Sequence, residues 1–592
     1  MEERNIEKEL ANRTFKDSFI YLKKMLKIIY NVDRKSFILI FLFYSFASII
    51  SPLLVVLLQK IINNLLIGNL SIVLITLYIF GSLSWRFIDS FRNYLMQIFY
   101  RRVKLRTDLM LQEKLAKLRI EDFQNKEMYD NLERSSQSLY EIPLAYQQLL
   151  YMSSDFIKFF SYLTIIIFWN SWIFLIILIF NIISFLKKYK LLEKVFVKYW
   201  YQTTNERKAG YYEYIIKKKE TMLELKSLNA FDYIVDKYKK VKEKIFKEQI
   251  ELEKKENINS GIFAVVDEII NIIILVYLLL QTISKIILIG DFYAYRSAIT
   301  EISKSIQNGT EYFAILNIRI LNTRELINFL EYKIDYVEGT KILDRVETIE
   351  FKNVWFKYQN RKEYALRGIN ILIKQGETLA FIGENGCGKT TIMKLLMKIN
   401  HPTKGKILIN GVDIEEYNTE SLRDKITMLF QEITVYEDTI RENITLNKKK
   451  RGEDNVLSSV PSENFIKEIK NMPKGIDTIL GTWFGDGNDI SKGQQQRLAL
   501  ARIFNRGENV LLLDEPNSAL DPRAEKELFE YIVNKQKGKT CILTLHVFTN
   551  IDQLDRVVMF EKGKIVADGV HEELYKTSEK YKEYYDLQES PK

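Results

Sequence analysis

Cysteine is almost absent from this chain, and its scarcity excludes whole classes of protein. Cys387 and Cys541 are the two cysteines among 592 residues, and both fall in the second half. Two cysteines at this spacing do not form a disulfide framework, and no cluster of cysteine and histidine has the spacing of a metal site. We therefore expect that half of the chain to occupy a reducing, cytosolic environment.

Proline is scarce as well, with eight residues in the whole chain. Two long polar stretches, residues 93–147 and 187–257, are nearly free of it and carry regularly spaced Leu, Tyr and Phe. Structureless loops of that length are improbable in a folded protein, so both stretches predict long helices. Residues 1–16 are charged and lack the apolar centre of a secretion signal.

Long apolar runs, by contrast, fill the first half. A helix needs about 20 residues to cross a hydrocarbon core of ~30 Å. Six segments are candidates, although the last also carries charged residues and is predicted because the chain must return to the cytoplasm. The predicted spans are residues 37–58, 70–88, 156–169, 173–185, 262–283 and 292–315.

Basic residues flank these spans on one side. The net charge is +10, and the excess lies before the first span, after the second and fourth, and before the fifth. Cytoplasmic loops carry such an excess of Lys and Arg, so both termini are expected in the cytoplasm of a multi-pass protein of the cell membrane. The charge is thereby accounted for, and we expect no nucleic-acid partner.

The composition changes along the chain and divides it into four parts. Residues 1–35 contain an amphipathic helix that either lies on the membrane surface or packs on protein. Residues 36–330 form the six-span domain with cytoplasmic helical extensions, and residues 331–348 a linker. From residue 349 to 592, short β-rich runs alternate with helical ones. The predicted fold class is an all-α six-helix transmembrane domain followed by an α/β nucleotide-binding domain.

A phosphate-binding loop of the form G-x-x-x-x-G-K-[ST] begins the chemistry of the second half. An apolar run at residues 378–382 predicts a strand before it, and a helix is predicted from Thr391. Backbone N–H groups of such a loop surround phosphates, the lysine reaches the β- and γ-phosphates, and the hydroxyl holds Mg²⁺. The loop consists of Gly383, Glu384, Asn385, Gly386, Cys387, Gly388, Lys389 and Thr390.

Two acids follow a second buried strand. Asp514 and Glu515 end the apolar run that begins at Val510. Carboxylates at the carboxyl edge of a parallel sheet lie where ligands bind in open α/β folds. We therefore expect Asp514 to complete the magnesium shell through water and Glu515 to polarise the attacking water.

These motifs, in this order, resemble the nucleotide-binding domain of ATP-binding cassette (ABC) transporters, and the whole chain resembles a bacterial exporter half-transporter. The resemblance implies that Tyr358 stacks on adenine, Gln431 senses magnesium and the membrane domain, and His546 contacts the γ-phosphate. It also assigns the signature and the loop between paired domains. Those residues are Ser491, Gly493 and Gln494 in I-S-K-G-Q, and Asp521 in S-A-L-D.

The family resemblance implies a transport-coupled ATPase that uses ATP and Mg²⁺. Two cassettes close on two ATP molecules, so this chain needs a second chain; a homodimer is favoured and a heterodimer stays open. Residues 480–487 resemble the corresponding stretch of lantibiotic exporters, which favours outward movement of a peptide or amphipathic substrate. Membrane lipid is the other expected partner. A lipid or multidrug exporter is the close alternative. Residues 123–130 and 226–231 resemble the segments that couple the two domains.

One signature residue departs from the family pattern. Lys492 stands where the family has glycine, which permits close backbone approach to the nucleotide. The lysine supports a further alternative, a regulatory protein that binds ATP and hydrolyses it poorly. The N-terminal half has no cysteine to serve a leader-cleaving peptidase, so we expect any leader to be removed elsewhere or not at all.

Carboxylates within the predicted spans are the remaining candidates. Asp155, Asp267, Glu268 and Glu301 lie in or beside spans. Such residues are costly in a membrane and are functional candidates by default. They either line a cavity for a cationic or amphipathic substrate or pair with Lys158, Arg296 or Lys304.

Overall fold

The chain forms two compact units in the computed structural model. One contains residues 1–118 and 122–333, and the other contains residues 119–121 and 334–592. The structure describes residues 15–69, 71–119, 122, 126–167, 172, 175, 179, 182–183, 203–332, 338–358, 361–446, 453–482, 487–535, 538–545 and 550–589.

The described part of the first unit is helical. Asp33 separates the first two helices, because its carboxylate accepts a hydrogen bond of 3.0 Å from the N–H of Ser36 and caps the second helix. The helices are α1 (Phe15–Val32), α2 (Arg34–Leu66), α3 (Ile72–Leu115), α4 (Lys126–Gln137), α5 (Glu141–Ile167), α6 (Thr203–Lys217), α7 (Lys219–Ser227), α8 (Phe231–Ile283) and α9 (Ile289–Glu331).

Four described helical segments are long and apolar enough to cross a membrane. They are Arg34–Leu66, Ile72–Leu115, Arg134–Ile167 and Ala264–Ile283, and they contain most of the first, second, third and fifth predicted spans. The fourth predicted span falls mainly outside the described residues. The sixth lies in α9, which is continuous but too polar to be identified as a span by composition. The count of six therefore stays a prediction.

Two helices extend well beyond the apolar segments, as the proline-poor stretches predict. Helix α3 continues from its apolar start to Leu115, and α8 runs for 53 residues from Phe231 to Ile283. At 1.5 Å per residue, α8 is roughly 80 Å long, more than twice the thickness of a hydrocarbon core. The polar part of α8 is thus a continuous extension of a membrane helix.

The core of the first unit forms where α2, α3, α5 and α9 pack together. Helix α1 also packs against this core, with Met25 and Ile29 fully buried and Phe19 exposed. Of the two predicted environments for α1, the structure thus shows packing on protein for its buried face. A second apolar cluster joins α5, α8 and α9 around Tyr162, Leu278 and Ile302.

Three of the four candidate carboxylates of the spans, Asp155, Asp267 and Glu301, have side-chain partners. Asp155 pairs with Lys158 at 3.1 Å, and Glu301 pairs with Lys304 at 3.2 Å. Asp267 accepts hydrogen bonds from Gln307 at 2.9 Å and Asn271 at 3.3 Å. These contacts favour the pairing alternative for Asp155 and Glu301, and they give Asp267 uncharged partners.

A polar cluster joins the end of α2 to the start of α9. Gln59 and Asn63 each donate to Asp291 at 2.8 Å, and the N–H of Gly290 donates to Asn63 at 2.9 Å. A Cβ atom on Gly290 would lie 2.4 Å from the carbonyl oxygen of Gln59. Glycine is therefore required for this close approach of the two helices.

The second unit contains two sheets. An antiparallel sheet has the order β2-β1-β4-β5, and a six-stranded sheet has the order β10-β9-β3-β8-β7-β6, in which β9, β3, β8, β7 and β6 run parallel. The strands are β1 (Thr348–Phe356), β2 (Leu366–Lys374), β3 (Thr378–Ile382), β4 (Lys404–Ile409), β5 (Val412–Asp413), β6 (Ile426–Leu429), β7 (Val510–Asp514), β8 (Thr540–Thr544), β9 (Arg556–Glu561) and β10 (Lys564–Gly569).

Helices cover both faces of the parallel strands, and β3, β7 and β8 are almost entirely buried and largely apolar, as expected of a doubly covered sheet. One core lies between the two sheets around α10, and the other lies beneath α15 and α16. The helices are α10 (Lys389–Leu396), α11 (Thr419–Arg423), α12 (Ile440–Thr445), α13 (Glu453–Leu457), α14 (Glu463–Asn471), α15 (Lys492–Arg506), α16 (Pro522–Lys535), α17 (His571–Thr577) and α18 (Glu579–Glu589).

Candidate nucleotide-binding site

The phosphate-binding loop connects β3 to α10, as the sequence predicts. Gly383 has φ of 134°, and a Cβ there would lie 2.2 Å from the carbonyl oxygen of Phe560. Gly388 has φ of 113°, and a Cβ there would lie 2.6 Å from a methyl group of Leu366. Both positions require glycine, because a side chain would be strained in the backbone and would clash.

Lys389 begins α10 and turns back into the loop. Its side chain is buried, and its amine donates to the carbonyl of Gly383 at 2.5 Å and to that of Glu384 at 3.2 Å. The cation therefore lies among the backbone groups that would surround a phosphate. Burial raises the pKa of the neighbouring Cys387 thiol, which keeps this loop residue neutral.

Asp514 is fully buried at the end of β7 and has two hydroxyl partners. Its Oδ1 atom accepts from Thr390 at 3.1 Å and from Thr544 at 2.7 Å. Its Oδ2 atom is buried and has no hydrogen-bond partner among the described residues. A carboxylate oxygen left free beside a threonine hydroxyl fits the oxygen-ligand preference of Mg²⁺ or of its bound water.

Glu515 follows Asp514 in an unusual backbone conformation, with φ of 49°. A non-glycine residue in this region is strained, and such strain concentrates at functional sites. The N–H of Glu515 donates to the Thr544 hydroxyl at 2.8 Å, and its Oε2 atom accepts from Gln431 at 2.9 Å. Gln496 donates to the next carbonyl, that of Pro516, at 2.9 Å. Gln431 thus orients the Glu515 side chain, and Thr544 and Gln496 hold the backbone on either side of it.

The signature segment forms the start of α15. The Ser491 hydroxyl accepts from the N–H of Gln494, and the side-chain Oε1 atom of Gln494 accepts from the N–H of Ser491 at 2.8 Å, which is a capping box. The Gln494 amide also donates to Glu468 of α14 at 2.9 Å. Lys492 is exposed at the first helical position. A Cβ on Gly493 would lie 3.0 Å from the carbonyl oxygen of Ala519.

Asp521 and Tyr358 lie at the edges of the site. Asp521 accepts from the N–H groups of Ala524 and Arg523, each at 3.0 Å, and the first of these bonds contributes most to lowering the pKa of its carboxyl. Tyr358 packs edge-on against Phe356, and its hydroxyl lies 3.1 Å from that of Thr391. This contact places the tyrosine beside the first turn of α10.

The structure therefore brings together Lys389, Thr390, Gln431, Asp514 and Glu515, and their predicted roles stay predictions. Asn385 and Gly386 lie at the turn of the loop. His546 lies outside the described residues.

Three residues in this network were not predicted from the sequence: Thr544, Gln496 and Glu468. A signal for Thr544 does exist, because it is a polar residue at the end of an otherwise apolar strand.

This arrangement defines the class of protein, a nucleotide-binding cassette of the phosphate-loop type. Residues 366–518 match the family model described as ABC transporter. The subtilin transport ATP-binding protein SpaT of Bacillus subtilis is 30% identical over 573 residues, which are 95% of this chain and 93% of that protein. The chain therefore belongs to the ABC transporter family.

Two further similarities extend over nearly the whole chain. The nisin transport ATP-binding protein NisT of Lactococcus lactis is 26% identical over 98% of both proteins. A solved structure of a bacterial Atm1-family ABC exporter with ATP bound shares the fold, with a TM-score of 0.74 and 20% identity over 94% of this chain and 98% of that one. The protein is accordingly an ATP-driven exporter, a multi-pass membrane protein whose ATPase is coupled to transport.

Proposed function

We propose that this protein exports a peptide across the cell membrane as a homodimer with six spans in each chain and both termini in the cytoplasm. The observation that carries the substrate class is the similarity to SpaT and NisT, which covers at least 93% of each protein and includes the membrane half. Substrate contacts in an exporter lie in that half, so similarity there bears on the substrate more than similarity of the cassette does.

The phosphate loop provides the binding of ATP. Lys389 exchanges its two carbonyl partners for oxygens of the β- and γ-phosphates, and the N–H groups of the loop and the start of α10 surround the same phosphates. Tyr358 provides an aromatic face for adenine. Thr390 and Asp514 would hold Mg²⁺, whose charge would offset the negative charge that develops on the phosphates.

Glu515 and its neighbours provide hydrolysis. The Glu515 carboxylate accepts a proton from the attacking water, whose oxygen forms a bond to the γ-phosphorus while the bond to the bridging oxygen of ADP breaks. Gln431 and Thr544 orient Glu515 from its side chain and its backbone. The strained conformation of Glu515 restricts the directions its carboxylate can take.

A second chain provides the contacts on the far side of the γ-phosphate. At the N-terminus of α15, Gly493 presents a backbone N–H group and Ser491 a hydroxyl, which suit an anion. In this proposal, Asp521 and His546 act at the same interface between the two cassettes. Loss of the γ-phosphate removes these contacts, so hydrolysis allows the pair to separate.

Export of a peptide into inside-out vesicles tests the proposal. The purified protein, reconstituted in lipid vesicles, is given ATP and a fluorescent lantibiotic-type precursor peptide, and Glu515→Gln serves as control. We expect ATP-dependent accumulation by the wild type and none by the control. Accumulation of a fluorescent lipid analogue but of no peptide would instead identify a lipid exporter.

Lys492 favours one other function, that of an ATP-binding regulator. A cation at a helix N-terminus is unfavourable and interrupts the signature. Steady-state ATPase discriminates, because a regulator turns over no faster than Glu515→Gln, whereas an exporter does.

A further inference from the structure

An open pocket of about 440 Å³ lies in the helical unit, between α3 and α5. Its size falls within the range of ligand pockets in proteins. The lining residues are Asn93, Met96, Gln97, Tyr100 and Arg101 of α3 and Gln147 of α5. Three of these six are carboxamides, one is a cation, and none is acidic.

The lining residues of α3 are spaced so that most of them lie on one face of the helix. Asn93, Gln97 and Arg101 follow one another at intervals of four residues, so they share one face of the helix. Gln147 enters from α5 and donates to the Tyr151 hydroxyl at 2.8 Å, which holds its amide in place. The pocket is therefore lined by polar groups from both helices.

Arg101 differs from the arginines around it. It forms no hydrogen bond or ion pair within the part of the chain that the structure describes. Arg102 binds Asp33 at 2.8 Å, and Arg106 binds Glu113 at 3.5 Å. The guanidinium of Arg101 has five donors and retains its charge, so a carboxylate is its natural partner.

We propose that this pocket binds an acidic segment of the exported peptide, with a carboxylate on Arg101 and peptide groups on Asn93, Gln97 and Gln147. Carboxamides both donate and accept, so they match the paired N–H and C=O groups of a peptide backbone. A lipid phosphate has only acceptors and would leave the carbonyl oxygens of the amides without a partner. This inference rests on the proposed function of peptide export and adds a preference for peptides with an acidic segment.

Peptide binding to the reconstituted full-length protein in phosphatidylcholine nanodiscs tests this site. The probe is a short fluorescent peptide with one central glutamate, compared with its glutamine and lysine analogues by anisotropy. We expect the glutamate peptide to bind about tenfold more tightly than the glutamine peptide, as a charge-assisted hydrogen bond predicts. Arg101→Gln should remove this preference, and Arg101→Lys should retain part of it.

Matched variants separate the site from general electrostatics. Arg106→Gln removes the same charge from the same helix outside the pocket and should keep the preference. Gln97→Leu should weaken the binding of all three peptides by a similar factor. The proposal is overturned if the Arg101→Gln variant still binds the glutamate peptide more tightly than the glutamine peptide. It is also overturned if this difference appears only after anionic lipid is added, because the site would then be one for lipid headgroups. Equal binding of all three peptides overturns this charge preference alone, whereas no peptide binding and no export together would overturn the peptide exporter itself.

Discussion

At the residue scale, the single hydroxyl group of Thr544 links the two acidic residues of the site, Asp514 and Glu515. Its hydroxyl donates to Asp514 and accepts from the N–H of Glu515. Thr544→Val keeps the shape but leaves a buried N–H without a partner, which costs about 1–3 kcal/mol. We expect steady-state ATPase to fall roughly tenfold, because 1.4 kcal/mol corresponds to one factor of ten. Thr544→Ser, which keeps the hydroxyl, should stay close to wild type; equal rates for both variants would contradict this role.

The effect of Lys492 on the affinity for ATP can be tested separately from its effect on stability. Its ammonium opposes the dipole of α15, a cost of about 0.3–1 kcal/mol that attraction to phosphate across the dimer would offset. Lys492→Gln should therefore raise the KM for ATP about threefold or more while the melting temperature stays the same or increases. Lys492→Arg keeps the charge and serves as control. An unchanged KM in the glutamine variant would show that the ammonium lies away from the nucleotide.

At the level of elements, the contact between α14 and α15 holds the signature segment in place. Glu468 accepts from Gln494, which in turn caps the helix at Ser491. Glu468→Leu should loosen the signature end of α15, and we expect a several-fold rise in the KM for ATP with little change in ATP binding to the separated chain. Glu468→Gln preserves an acceptor and should restore most of the affinity. If leucine and glutamine behave alike, Glu468 has no positioning role.

Elements differ in how far the sequence determines them. The phosphate loop and the strand that ends in Asp514 are local patterns, and the structure brings both to one site. Thr544 and Glu468 act through residues distant in the sequence, so their partners become visible only with the order of the strands and the packing of the helices. The amphipathic pattern of α1 predicts a helix but cannot distinguish lipid from protein as the surface that it faces.

The topology of the whole molecule can be tested with single cysteines. Cys387 and Cys541 are both buried, so added cysteines can be labelled selectively. Asn69→Cys, between the first two predicted spans, should react with a membrane-impermeant maleimide added to intact cells. Leu228→Cys, at the exposed corner between α7 and α8, should react only after the cells are made permeable. The reverse pattern would place both termini outside.

The cluster at Gly290 has a mechanical consequence for the whole molecule. Gln59 and Asn63 fasten the end of α2 to the start of α9, and Gly290 leaves no space between them. Any rotation of α9 against α2 must therefore pivot at this end. Helix α9 contains 43 residues. At 1.5 Å per residue, a rotation of roughly 5° about the pivot would move its far end by about 6 Å. A small angular change would thus become a large linear displacement at Glu331.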